Sequence, residues 1–139
     1  MLSLEAFAHY RLGVEPLDTE HWEILDSLRQ LSDSRSRKED LRIVEHIVDL
    51  WSKHAMTEER TMKSMQYPYA EWHIKEHSEM MGRFRALKER IVRSSEYHDR
   101  SWIASELQVI VCQHIDTHDM QIHQFIKQRN SQSGDSHGN

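Results

Sequence analysis

The stretch Val44-Glu45-His46-Ile47-Val48-Asp49-Leu50-Trp51-Ser52-Lys53-His54-Ala55-Met56-Thr57-Glu58-Glu59-Arg60-Thr61-Met62 decides how this chain is read. Val44, Ile47, Val48, Trp51, His54, Ala55, Glu58 and Met62 recur at the spacing of one face of an α-helix. That face is apolar at first. It then carries an imidazole and a carboxylate four residues apart, so that His54 and Glu58 project to the same side. Burying such groups is costly unless their polar atoms are bonded. A helix with this stripe needs partners to cover its apolar part and something else to satisfy its polar part.

Working outward, Ser34-Arg35-Ser36-Arg37 interrupts the pattern on one side, and Tyr67-Pro68-Tyr69 closes it on the other, because a residue before proline is pushed out of the helical region. The spacing predicts a helix over about 38–65. Before it, a stripe of His21, Ile24, Leu25, Leu28 and Leu31 predicts a helix beginning near Asp18, which reads as its N-cap. After it, His73, His77, Met80, Phe84, Leu87 and Ile91 predict a helix over about 70–92. Ile103, Leu107, Ile110, Val111, His114, Ile115 and Ile122 predict a last one over about 99–127. No strand pattern competes. Four amphipathic segments with short connections imply an all-α, up-down-up-down four-helix bundle. Residues 1–17, with Gly13 and Pro16, read as an extended N-terminal arm of a domain spanning 1–129. Residues 130–139 read as a disordered polar tail.

A chain of 139 residues is long enough for one core and short for two. Lys and Arg number 18 against 23 Asp and Glu, and a net charge of -5 offers no electrostatic footprint for nucleic acid or an anionic membrane. No run approaches the roughly 20 apolar residues of a membrane span, and the N-terminus lacks the order of a signal peptide. The expectation is a soluble, cytoplasmic protein. The single Cys112 rules out an internal disulfide and a cysteine-rich zinc site. The 11 histidines are the outlying count, and their placement gives it meaning.

Each of the four stripes carries histidine where the periodicity asks for an apolar residue. One inward histidine alone is usually a core residue bonded to a carbonyl or water. Here His54 and Glu58 form one i,i+4 pair, His73 and His77 another, and His21 and His114 enter from the outer two helices. Helices in a bundle lie roughly 8–10 Å apart, so these side chains can meet around a small inorganic centre. Imidazole with carboxylate suits iron, and so many ligands exceed what one tetrahedral zinc takes; two carboxylate-bridged metals fit better. The Glu-x-x-His motif of ferritin-like di-iron bundles is absent from the sequence, which disfavours that class. His9, His46, His98, His123 and His137 fall outside the pattern and read as surface or packing residues.

The run Leu12-Gly13-Val14-Glu15-Pro16-Leu17-Asp18-Thr19-Glu20-His21, then His54-Ala55-Met56-Thr57-Glu58-Glu59 with Met62, Tyr67-Pro68, His73-x-x-x-His77 and His114-Ile115-x-x-x-Asp119, resembles bacterial hemerythrins over about residues 6–127. The resemblance implies two non-haem iron ions with an oxo or hydroxo bridge. His73, His77 and His114 would hold one, His21 and His54 the other, and Glu58 and Asp119 would bridge them. It implies reversible binding of dioxygen, for carriage or storage. An oxygen, nitric oxide or redox sensor and a di-iron peroxidase or oxidase are the alternatives.

Two features sit unevenly with this. Asp119 follows His114 by five residues, about 140° round an ideal helix, whereas His118 would face the same way as His114. We take Asp119, because a second carboxylate neutralises two buried cations and a π-like widening would bring it into line; His118 becomes a neighbour. Further, Ala55, Met80, Ile110 and Ala6 stand where large aromatic residues are common in the family. These smaller groups would widen the pocket, with Trp22, Trp51, Trp72 and Trp102 available to fill it from other directions.

Overall fold

A computed structural model describes residues 13–93 and 101–137. The chain forms α1 (Leu17–Ser32), α2 (Arg37–Ser64), α3 (Ala70–Arg93) and α4 (Ser101–His114); a π-helical turn (Ile115–Asp119) then carries α4 without a break into α5 (Met120–His137). α1 packs on α2, α2 on α3, α3 on α4 and α4 on α1, which closes a four-helix ring. Among the described residues there is no strand, and no helix is long and apolar enough to cross a membrane.

The core falls into two apolar layers. The larger contains Ile24 and Leu28 of α1, Val44, Ile47 and Trp51 of α2, Phe84 and Leu87 of α3, and Ile103, Leu107 and Val111 of α4. The smaller contains Leu17, Met62, Tyr67, Ile122 and Ile126. α1 runs from the small layer to the large one, α2 returns, α3 leads back into the large layer, and α4 with α5 returns again. Alternation of direction is thus written in the order in which each helix meets the two layers. The polar stripe residues lie between them.

Local chemistry sets the helix ends. The Ser36 hydroxyl accepts the backbone N–H of Glu39 at 3.1 Å and caps α2, worth about 1 kcal/mol. The same helix stops sooner than Pro68 requires. Gln66 takes the left-handed conformation at φ 53°. Its N–H bonds the Lys63 carbonyl, and the Tyr67 N–H reaches the Met62 carbonyl at 2.9 Å. This is a Schellman ending, with Tyr67 packed in the same layer as Met62. Asp18 is likewise not the cap expected of it. α1 begins at Leu17, and the Asp18 carboxylate, already in the first turn, accepts the Gly13 N–H at 2.7 Å. Gly13 has φ 89°, and a Cβ there would lie 2.9 Å from Lys127 Nζ, so this end of the arm is seated against α5. Residues 1–12 of the expected arm, Ala6 and His9 included, lie outside the described residues, as does His98. α5 runs to His137.

Candidate metal centre

The helical register that buries the apolar stripes also buries the polar ones. His21 on α1, His54 and Glu58 on α2, His73 and His77 on α3, His114 at the end of α4 and Asp119 in the π turn are all buried at the level between the two apolar layers. Asp119 gets there through the π turn, in which the Met120 N–H bonds back to the Ile115 carbonyl across five residues instead of four. The extra residue absorbs the rotation that an α-helix would have given it. His118 is turned outward instead: its Nε2 lies 3.5 Å from Glu76 Oε2 and its ring packs at 4.4 Å against that of Trp72.

The two oxygens of Asp119 face different histidines. Oδ1 is 2.9 Å from His114 Nε2 and 3.2 Å from His73 Nε2, whereas Oδ2 is 2.9 Å from His21 Nε2 and 3.3 Å from His54 Nε2. Glu58 Oε1 lies 3.1 Å from His77, 3.2 Å from His54 and 3.4 Å from His73, at Nε2 in each case. Two groups of donor atoms result. One comprises Glu58, His73, His77, His114 and Asp119; the other comprises His21, His54, Glu58 and Asp119. Each group lies within a span of 4.8 Å, and the two share both carboxylates.

These contacts leave several polar atoms of the cluster unsatisfied. His73 Nε2, His114 Nε2, Asp119 Oδ1 and Glu58 Oε2 are buried and find no hydrogen-bond partner among the described residues. His21 and His54 Nε2 bond Asp119 Oδ2 and His77 Nε2 bonds Glu58 Oε1, while the remaining polar atoms converge on the same space with no partner of their own among the described residues. His21 Nε2 and His54 Nε2 also meet, nitrogen to nitrogen, at 3.0 Å. Leaving several buried polar atoms unpaired costs of order 1–3 kcal/mol each, and one kind of group removes the whole set at once: cations with nitrogen and oxygen ligands. Five imidazoles and two carboxylates fit a pair of such ions.

Electrostatics point the same way. Burial alone would raise Asp119, yet the charge of His114 and contacts with His114, His21 and His54 hold it well below the usual carboxylate range. Burial and the like charge of Asp119 act upward on Glu58, and His54 and His73 outweigh them and lower it. Burial works against protonation of His73, but Asp119 and Glu58 lift it to about 9. His54 is raised well above the ordinary histidine value, burial notwithstanding, by Glu58, Asp119 and Glu20. Two buried carboxylates thus demand positive charge between them.

Residues behind the cluster fix its rings. Glu20 Oε1 lies 3.0 Å from His54 Nδ1, and Glu20 Oε2 accepts the Thr57 hydroxyl at 2.8 Å. Glu59 Oε1 approaches His77 Nδ1 at 3.5 Å. Trp51, fully buried, sets its ring 5.1 Å from His114, 5.6 Å from His54 and 6.0 Å from His77, with Phe84 behind it at 5.8 Å. The other tryptophans do not fill this role: Trp22 and Trp72 are half exposed, and Trp102 lies under the Arg90 guanidinium at 4.5 Å. Ala55, Met80 and Ile110 are buried, and the last two border a cavity of about 320 Å³ that reaches His114.

One of these residues escaped the sequence. Glu20 sits on the inner face of α1 beside His21, and a carboxylate on an apolar stripe was the available sign. His123, expected on the surface or in packing, is a buried packing residue stacked on His21 with centroids 5.5 Å apart and planes 18° apart. Neither of its ring nitrogens has a hydrogen-bond partner among the described residues, and burial beside His21 lowers it to about 4. Its position four residues after Asp119 was the signal. His46 is exposed, in line with its place off the stripe.

The family model of the hemerythrin HHE cation binding domain matches residues 12–126. No curated protein and no solved structure matches the chain.

Proposed function

Because the chain belongs to the hemerythrin family of HHE cation-binding domains, we propose that it holds two iron ions bridged by Glu58 and Asp119 and binds dioxygen reversibly at one of them, for carriage or storage. The observation that carries this reading is the division of Asp119, with one oxygen toward His73 and His114 and the other toward His21 and His54. A carboxylate split in this way is arranged as a bridge. Iron would supply a site that exchanges electrons with a small diatomic ligand.

What the chain contributes is asymmetry and exclusion. His73, His77 and His114 with the two carboxylates offer five donors, whereas His21 and His54 with the same carboxylates offer four. The second group leaves a position open for an outside ligand. Glu20 accepts from His54 Nδ1, which keeps the lone pair of Nε2 directed inward. Trp51 and Phe84 keep water from one side of the histidines, as reversible binding requires. The cavity beside Met80 and Ile110 reaches His114 of the five-donor group, and neither His21 nor His54 lines it. It does not serve the open position, which favours binding over turnover.

The test is metal analysis together with anaerobic reduction followed by exposure to air. Two irons per chain and a visible absorption band that comes and goes with oxygen are expected. A single zinc per chain, or iron retained after both His73 and His77 are changed to alanine, refutes the site. Two irons with irreversible bleaching to the diferric form would leave the site standing and move the function to sensing or catalysis.

A further inference from the structure

All seven donors of the centre are buried. Apolar layers plug the bundle above and below them, with Trp51 and Phe84 on one side and Leu17, Met62 and Ile122 on the other. An ion that enters along the bundle axis would have to force a way through an apolar layer. The flank between α3 and the π turn is different. There a cavity of about 320 Å³ is lined by Glu76, Met80 and Arg83 of α3, by Ile110 and His114 of α4, and by His118 of the π turn.

We propose that Glu76, His118 and His114 form a port that takes up a divalent transition-metal ion and passes it to the buried centre, an inference that rests on the metal-centre reading above. The three residues offer ligand atoms that all lie within 4.8 Å of one another. His118 and Glu76 are 14% and 29% exposed at the side chain, so both meet solvent, while His114 is buried and belongs to the five-donor group as well. The set therefore forms a step inward, from two partly exposed ligands to a third that the centre already owns. His118 Nδ1 is buried without a hydrogen-bond partner among the described residues, which marks an unmet demand at this spot.

The donor set suits a borderline divalent ion, since imidazole with one carboxylate binds ferrous iron, cobalt or zinc in preference to magnesium or calcium. Trp72 lies against His118 at 4.4 Å and limits the freedom of its ring. Arg83 borders the same cavity and weakens the hold on a cation, as a transit site needs, for an ion bound too firmly there would not move on. The π turn has a second consequence here: the rotation that brings Asp119 inward places His118 at the flank.

The probe is cobalt(II), whose visible bands report its ligands. It is added to metal-depleted protein whose far-ultraviolet circular dichroism matches that of the loaded form. Glu76→Gln and His118→Gln are each expected to slow cobalt uptake about tenfold, the low end of what a charged cleft does for the arrival of an ion, with unchanged final stoichiometry and spectrum. Uptake at the wild-type rate in both variants overturns the port and leaves the centre intact. Should His118→Gln alter the final spectrum, Glu76→Gln decides, because Glu76 is no part of the centre: slower uptake supports the port, an unchanged rate overturns it. Failure of the wild-type chain to bind cobalt at all would strike the centre itself and the port with it.

Discussion

Replacing Glu20 with leucine tests how far the ligand histidines depend on the residues behind them. The Glu20 carboxylate lies 3.0 Å from His54 Nδ1 and is itself held by the Thr57 hydroxyl at 2.8 Å. Both partners of the pair are buried, so salt screens it little. In Glu20→Leu the Nδ1–H loses its acceptor at a cost of about 1–3 kcal/mol for a buried donor. If the ring changes tautomer instead, an N–H at Nε2 points into the centre and blocks coordination. Either route would weaken a metal held by His21 and His54. Removing such a supporting carboxylate costs about 10–100-fold in affinity, or roughly 1.4–2.8 kcal/mol at 1.4 kcal/mol per tenfold. A metal held by His73, His77 and His114 would keep its own support. The assay is competition against graded chelator with iron counted at each step. The variant is expected to lose one iron at about 10–100-fold lower chelator than wild type and the other near the wild-type range. Glu20→Gln, which retains an acceptor oxygen but no charge, should fall between. If Glu20→Leu and Glu20→Gln both hold two irons as tightly as wild type, Glu20 merely packs and the reasoning is wrong.

Metal binding should strengthen as pH rises from about 6.5 to about 9, because protons on His54 and His73 must leave before Nε2 can coordinate; calorimetry in two buffers of different ionisation heat measures the proton release, and a pH-independent affinity refutes it. The sign reverses for chelator-treated protein: histidines raised in the folded state stabilise it fully below their unfolded value of about 6.5 and cease to do so as pH passes their folded values. Its denaturant midpoint should then fall between pH 6.5 and about 9, and a rise there would contradict the assignment. His123→Leu should raise stability by about 1–3 kcal/mol, since both ring nitrogens are buried without partners among the described residues; a loss of similar size in urea unfolding would mean that the imidazole bonds something the fold requires. Deleting Thr117, exposed in the π turn with its hydroxyl on the Gln113 carbonyl, should restore a regular helix in which the aspartate follows His114 by four residues and so stays on the same face. Helicity and bound metal should both be kept, and loss of iron from a folded deletion variant would show that the carboxylate depends on the π turn itself.

The stripes on α2 and α3 were legible because burial repeats with the helix period, and the polar ligands obey the same period as Ile47 or Phe84. That logic reads each helix against its own axis. It cannot see across to a neighbour, and for this reason Glu20 went unread and His123 was read only as surface or packing: each looks like one polar residue near an inner face until another helix or ring is placed beside it. The end of α2 was placed correctly near residue 65, but for another reason. Proline is a visible stop, but Gln66 in the left-handed region stops the helix first, and nothing in a glutamine announces that conformation.

Asp119 lies between these cases. Period alone selects His118, which shares a face with His114 in any regular helix, and Asp119 is selected by the family resemblance and the charge argument. The structure resolves the conflict by deforming the backbone, because the alternative is worse: His118 in place of Asp119 would leave Glu58 as the only carboxylate among the donors of the two groups. A π turn forfeits little hydrogen bonding, since the Met120 N–H still finds the Ile115 carbonyl. The deformation also keeps the apolar pattern in phase on both sides, with Ile110 and Val111 buried before it, Ile115 buried at its start, and Ile122 and Ile126 buried after it. A helix defect that preserves packing on either side while turning one carboxylate inward is most simply explained by what that carboxylate holds.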